Sequence, residues 1–447
     1  MLIYLLLVLV LFIFFLSYVL VNKDIFAPPV VFSGVFVIAI LVAIPNLELW
    51  AFDMGERTFI VLFLGIYSFC IGYFIIYFFR KHLNKNLNFT GLVNSNVYIK
   101  KYKLVAIFFI QVITLYLFYQ DVSMIAANMG GGDTLTEKLF LYRTNIILND
   151  NENGNVSSLT SYLLLICQVF IYILMYNFCE KYFTEKKINK KILFLIIVGL
   201  SIQILNGARG PLIDTLVSFF IMMYIFKMKK DKWQKMLSLK KIILMVLFLI
   251  LFLVLFSSVG LMLVGREGQI QDADILLGIW NQISMYIAAP LKLLDLFMYT
   301  DYTKESIAFG IETFRSIYGF LSRYSLTSVQ MSNLISSEFQ SDNGQDLGNL
   351  YTVFRPYVSD FGYIGVIILS LLEGMVYAFI YFSIRYKNVF NKINYNIVLY
   401  AFLFIPLFRV FCLEQFYRNI INLDFIKLII FYKIIECIFL SKKEKRA

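Results

Sequence analysis

MLIYLLLVLVLFIFFLSYVLVN (1–22) carries no charged side chain. About 20 apolar residues in an α-helix cross the hydrocarbon core of a bilayer, so this one run decides the fold class. It has neither a basic start nor a small-residue cleavage site, and it reads as a first membrane helix and not as a signal peptide. Similar runs recur at roughly 27–47, 58–79, 104–119, 158–179, 192–206, 211–227, 242–264, 360–384, 395–413 and 419–440. Hydrophobic residues make up 60% of the 447, and the mean hydropathy is +0.76, which excludes a soluble globular chain. The expectation is an all-α polytopic membrane protein with about eleven transmembrane helices.

Charge then orients the helices. Of the 28 lysines, 23 fall in 23–26, 80–103, 180–191, 227–241, 385–394 and 441–447, every second connection along the chain. Lysine accumulates on the cytoplasmic side of membrane proteins, so the N-terminus is expected outside and the tail SKKEKRA (441–447) inside. The net charge of +11 is therefore topological, and nucleic-acid binding is discounted. Nine of the twelve arginines lie elsewhere, toward the outer face. The guanidinium fork suits phosphate or carboxylate and cannot lose its charge, so an arginine-rich outer face points to an anionic ligand.

Three divisions follow: membrane helices in 1–264, a long and partly helical outer loop at 265–359, and membrane helices with a basic tail in 360–447. NGARGPLID (206–214) makes a tight outward hairpin, with its turn at 206–210 and Pro211 placed to open the next helix. Amphipathic stretches are expected near 273–298 and 305–323, and a loop of this length in a compact membrane protein is usually functional.

The arginines that best fit a diphosphate site are Arg209 in the hairpin, Arg266 and Arg355 where the long loop leaves and rejoins the membrane, and Arg409 at the end of a helix. Arg143, Arg418 and Tyr351 are additional candidates. Arg57, Arg315 and Arg323 read more simply as headgroup or acid partners. Among the acids, Asp360 and Glu414 sit at outer helix ends, where either suits a proton-accepting role; Asp360 equally suits a cap for a helix starting there. Glu373 falls inside an apolar span, as a functional group or as a structural hydrogen-bond partner. The single histidine, His82, lies in a basic connection on the opposite side, so outer-face chemistry would have no histidine base. The five cysteines show no paired spacing and read as small apolar residues. No nucleotide, serine-hydrolase or histidine-metal motif occurs, and neither a metal nor a cofactor is expected.

Taken together, the spans, the NGARG hairpin, YIAAPLKLLD (286–295) and NLYTVFRPYVSDFGYIG (349–365) resemble the bacterial oligosaccharide repeat-unit polymerases, the Wzy-type O-antigen and capsule polymerases. The resemblance implies a membrane glycosyltransferase of GT-C-like fold in the bacterial inner (plasma) membrane. It implies undecaprenyl-diphosphate-linked oligosaccharides as donor and acceptor; a chain-length regulator and a flippase are candidate partners, with the protein working either alone or beside them. It also implies that Arg209, Arg266, Arg355 and Arg409 hold the diphosphate while Asp360 or Glu414 assists the acceptor. Two departures stand out. No arginine has glycine after fifteen intervening residues, as some members do, and the outer-face histidine of the related O-antigen ligases is absent. The alternative is a lipid-linked oligosaccharide flippase or polysaccharide exporter, against which stand the one-sided arginines and the long outer loop.

Overall fold

A computed structural model describes residues 1–83, 89–92, 97–148, 156–205, 210–234, 275–300, 308–327, 329, 340–386 and 393–442. The helices are α1 (Leu2–Leu20), α2 (Pro28–Ala43), α3 (Glu56–Leu83), α4 (Lys101–Asn128), α5 (Leu135–Leu148), α6 (Ser158–Glu185), α7 (Lys190–Ile204) and α8 (Gly210–Lys230). They continue as α9 (Ile275–Ile287), α10 (Ala289–Thr300), α11 (Arg315–Arg323), α12 (Phe354–Tyr386), α13 (Tyr395–Arg409), α14 (Phe416–Ile420) and α15 (Leu423–Phe439). Two antiparallel pairs of short strands complete the described structure: β1 (Val97–Ile99) with β4 (Leu440–Lys442), and β2 (Gln340–Asp342) with β3 (Gln345–Gly348).

Among the described residues, seven helices are long and apolar enough to cross a membrane: α1, α2 with its 3-10 extension to Asn46, α3, α4, α6, α8 and α12. The chain is a largely helical, membrane-embedded protein. Three further expected spans hold shorter helices, α7, α13 and α15, of 15, 15 and 17 residues. The run 242–264 lies outside the described residues.

Local chemistry sets the helix ends. Pro28 and Pro29 open α2 after an extended Ala27, where a missing backbone N–H costs nothing. Ser157 caps α6 by accepting the Thr160 N–H, and Asn189 caps α7 by accepting the N–H groups of Lys191 and Ile192. The expected span 104–119 is too short: α4 continues to Asn128, because its breakers, Gly130 and Gly131 at φ +113° and +80°, come only there. The membrane helix that follows the long loop begins at Phe354, not at 360, and is interrupted at Gly362 (φ 63°, ψ −158°), a conformation almost confined to glycine.

The chain folds as two compact units. The first comprises Met1–Asn88, Leu276–Lys387 and Phe402–Phe425, so it draws on all three sequence divisions. Its centre is the packing of α3 on α12, where the backbones approach so closely that a Cβ on Gly72 would lie 2.1 Å from the Leu371 carbonyl oxygen. A Cβ on Gly374 would lie 2.1 Å from that of Phe69. Small residues at such a crossing let helices gain dispersion contacts that no hydrophobic effect supplies in lipid. Phe32 stacks on Phe69 at 3.8 Å between ring centroids, and Phe36 stacks on Phe354 at 5.4 Å. At the other end of α12, buried Asp24 accepts the Tyr381 hydroxyl at 2.6 Å and faces the Arg385 guanidinium at 3.8 Å, fixing the α1–α2 turn to α12.

The second unit comprises Phe89–Ile275, Asn388–Ala401 and Ile426–Ala447. Phe118, Val122, Tyr142, Cys167 and Ile202 share a core formed by α4, α5, α6 and α7. The β1–β4 pairing sets Val97 opposite Lys442 and Ile99 opposite Leu440, joining two segments that the lysine bias assigns to one side of the membrane.

Candidate functional site

Where the chain leaves β3 and enters α12, within the first unit, Val353 donates its N–H to the Val410 carbonyl at 2.8 Å, and Phe354 is fully buried beside Gly65. Those anchors fix the next side chain. Arg355 is only 6% exposed, with its guanidinium 4.2 Å from the centre of the Tyr351 ring and 5.1 Å from that of Phe297. Aromatic faces hold a flat cation in place while leaving its in-plane N–H groups for another acceptor. Its Nε finds no hydrogen-bond partner among the described residues. A buried donor of this kind is costly unless a ligand completes it.

Arg355 lines a cleft of about 70 Å³ together with Arg315, Arg418, Glu312, Glu414 and Tyr351, and with Asn349 and Thr352 beside them. Three elements converge to form it. Arg315 opens α11, Arg418 lies in the short α14, and the Ser316 hydroxyl donates to the Arg418 carbonyl at 2.9 Å, tying the two together. Glu414 precedes α14 and accepts the Tyr417 N–H at 2.7 Å. Burial pushes its carboxyl up to about 7, against the opposing pull of the Tyr417 N–H and the Arg418 charge. Burial also raises Glu312, opposed chiefly by the charge of Arg355 and reinforced by that of Asp360. The Ser359 hydroxyl donates to Glu312 Oε1 at 3.2 Å. Three fixed cations thus face two carboxyls whose ionisation burial resists, which leaves the cleft with a surplus of positive charge.

Asp360 does not cap α12, because that helix begins six residues earlier. Instead Oδ1 accepts the Glu312 N–H at 3.3 Å and Oδ2 accepts the Thr313 N–H at 2.7 Å, so the carboxylate holds the turn that carries Glu312. Glu373 is fully buried in α12 and accepts the Tyr357 hydroxyl at 3.4 Å. Tyr357 meets Tyr417 edge to face, with centroids 5.7 Å apart, and the Tyr417 hydroxyl donates to the Leu369 carbonyl at 2.8 Å. This polar group backs the cleft without lining it.

Of the residues expected from sequence, Arg355, Arg418, Tyr351 and Glu414 come together in the cleft, and Asp360 supports it. Arg409 ends α13 and accepts the Cys412 and Leu413 N–H groups through its carbonyl, but it does not line the cleft. Arg143 belongs to α5 in the second unit. Arg209 and Arg266 lie outside the described residues. Arg315, read from sequence as a headgroup or acid partner, is a cleft residue, and Glu312 was not singled out at all. Their only sequence signal is the Glu-x-x-Arg spacing in ETFR (312–315), within the amphipathic stretch 305–323. Among the described residues no three His, Cys, Asp or Glu side chains gather as a metal site. No protein-family model matches the chain, nor does any curated protein or solved structure.

Proposed function

We propose that the protein is a membrane glycosyltransferase of GT-C type that polymerises undecaprenyl-diphosphate-linked oligosaccharide repeat units into O-antigen or capsular polysaccharide. The reading implies about eleven spans in a bacterial plasma membrane, and the lysine bias supports an orientation with the N-terminus and the cleft outside and the C-terminus inside. The observation that carries the reading is Arg355, a buried guanidinium packed against two rings with no partner for its Nε among the described residues and two further arginines in the same cleft.

The reaction joins an acceptor hydroxyl oxygen to the donor's anomeric carbon while the bond from that carbon to the diphosphate oxygen breaks. The leaving diphosphate takes the bonding electrons, and Arg315, Arg355 and Arg418 stabilise the charge it gains. Fixed cations aimed at developing charge lower a barrier strongly, because they need no reorganisation as the bond breaks. The acceptor's proton needs a base, and the carboxylates differ in how fully they are engaged. Asp360 has both oxygens on backbone N–H groups, and Glu414 accepts backbone N–H groups at the start of α14. Glu312 accepts one side-chain hydroxyl, and burial brings its carboxyl nearer to the pH at which a base is most effective. Glu312 is assigned the proton, with Asp360 as its positioning residue.

Purified protein in vesicles, given synthetic undecaprenyl-diphosphate repeat units and no nucleotide sugar, tests the reading. A ladder of longer lipid-linked glycans that Arg355→Ala abolishes supports it. Transbilayer movement of the lipid with no ladder would replace it with the flippase or exporter reading.

A further inference from the structure

Within the second unit, α4 and α7 leave a groove of about 370 Å³ between their N-terminal halves. Its walls are apolar, and the Phe108 and Phe194 rings meet across it at 5.9 Å between centroids. Val105 and Phe194 are about half exposed, at 52% and 53%. The mouth is basic: Lys101, Lys190 and Lys191 line it, and no acidic side chain among the described residues does. Lys103, on the same helix, is committed elsewhere and donates to the Ile438 carbonyl. We propose that this groove binds an anionic phospholipid, with an acyl chain against Val105, Phe108 and Phe194 and the headgroup phosphate among Lys101, Lys190 and Lys191.

Three physical arguments converge on that occupant. Lys101 and the Lys190–Lys191 pair stand in the first turns of their helices, where the helix dipole disfavours a cation. A phosphate at the mouth reverses that penalty, since it is attracted by the lysines and by the N-terminus of α4, which has no side-chain cap, whereas Asn189 already caps α7. From Lys101 to Phe108 the helix climbs roughly 10 Å, so the apolar wall runs along the upper part of an acyl chain while the ammonium groups stay at headgroup depth. Basic pockets between transmembrane helices on the lysine-rich side are the pattern by which membrane proteins select anionic headgroups. Lysines serving topology alone need no groove beside them; Lys186 and Lys187, in the connection before α7, do not line this one.

The site is independent of the cleft and of the reaction proposed for it. Its test is native mass spectrometry of the protein released from nanodiscs of equal phosphatidylcholine and phosphatidylglycerol. The wild type should retain phosphatidylglycerol several-fold over phosphatidylcholine. Lys101→Ala/Lys190→Ala/Lys191→Ala should abolish that preference. Because removing lysines can disturb insertion, Val105→Trp provides a second variant that leaves the charge intact and fills the groove; it should lower retention of phosphatidylglycerol. Equal retention of the two lipids by the wild type, or a preference that survives in both variants, would overturn the proposal.

Discussion

The Asp360 carboxylate grips the backbone of Glu312, with one oxygen on the Glu312 N–H at 3.3 Å and the other on that of Thr313 at 2.7 Å. Through this contact the first turns of α12 hold a loop far away in sequence, and the Asp360 charge helps to raise the Glu312 carboxyl. Asp360→Asn removes that charge while keeping an acceptor for one N–H. The Glu312 carboxyl should then titrate lower, so the acid limb of the polymerisation pH profile should move to lower pH. A purely structural Asp360 would leave the limb in place and lower only the amount of folded protein.

Arg355 should be the least replaceable arginine. Arg355→Ala should lower polymer formation by about 10²–10³-fold, the cost of losing a donor aimed at developing charge. Arg355→Lys should recover little, because an ammonium cannot stack on an aromatic ring as a planar guanidinium does and still present an in-plane pair of donors. Arg409→Ala, outside the cleft, should retain most activity. Lipid-linked ladders measured at matched membrane abundance separate these outcomes.

Glu414 carries a stability signature. Its folded carboxyl is raised from the ordinary 4.5 to about 7, so folding favours the protonated form. That contribution is complete below about pH 4.5 and is lost as pH rises through about 7, at a cost of about 3 kcal/mol above it. Glu414→Gln cannot ionise, and it should melt higher than the wild type at pH 8 but not at pH 5. Thermal unfolding in detergent at the two pH values checks the sign.

The α3–α12 crossing depends on two glycines. Gly374→Ala would set a Cβ against the Phe69 carbonyl oxygen at 2.1 Å, which only backbone movement relieves. It should cost about 3 kcal/mol, the upper end for overpacking, and lower the melting temperature clearly. Gly91→Ala, whose nearest neighbour would be a flexible Lys232 side chain at 3.9 Å, should leave it unchanged.

Most helices were legible in the linear chain, since an apolar run in lipid has to satisfy its own backbone hydrogen bonds. The runs at 1–22 and 158–179 match α1 and α6 at their starts to within a residue. The helix ends were less legible. α4 and α12 extend past their apolar runs because the residues that stop or open a helix, Gly130 and the anchored Phe354, do not coincide with the change in hydropathy. In the candidate site, Arg355, Arg418, Tyr351 and Glu414 were visible as polar residues at costly depths. Glu312 was not, and Arg315 read as a headgroup or acid partner, because an acid and a base three residues apart on an amphipathic stretch look like an ordinary surface pair.

The sequence by itself determined a helical, membrane-embedded chain and a segregation of lysine from arginine, because both follow from transfer energies that each residue bears alone. Only the tertiary structure decided which arginines share a cleft, which carboxylate holds a backbone turn and which lines the cleft. Ser316 and Arg418 meet across 102 residues of chain, and an approach of that kind is set by packing between helices, which no local pattern encodes.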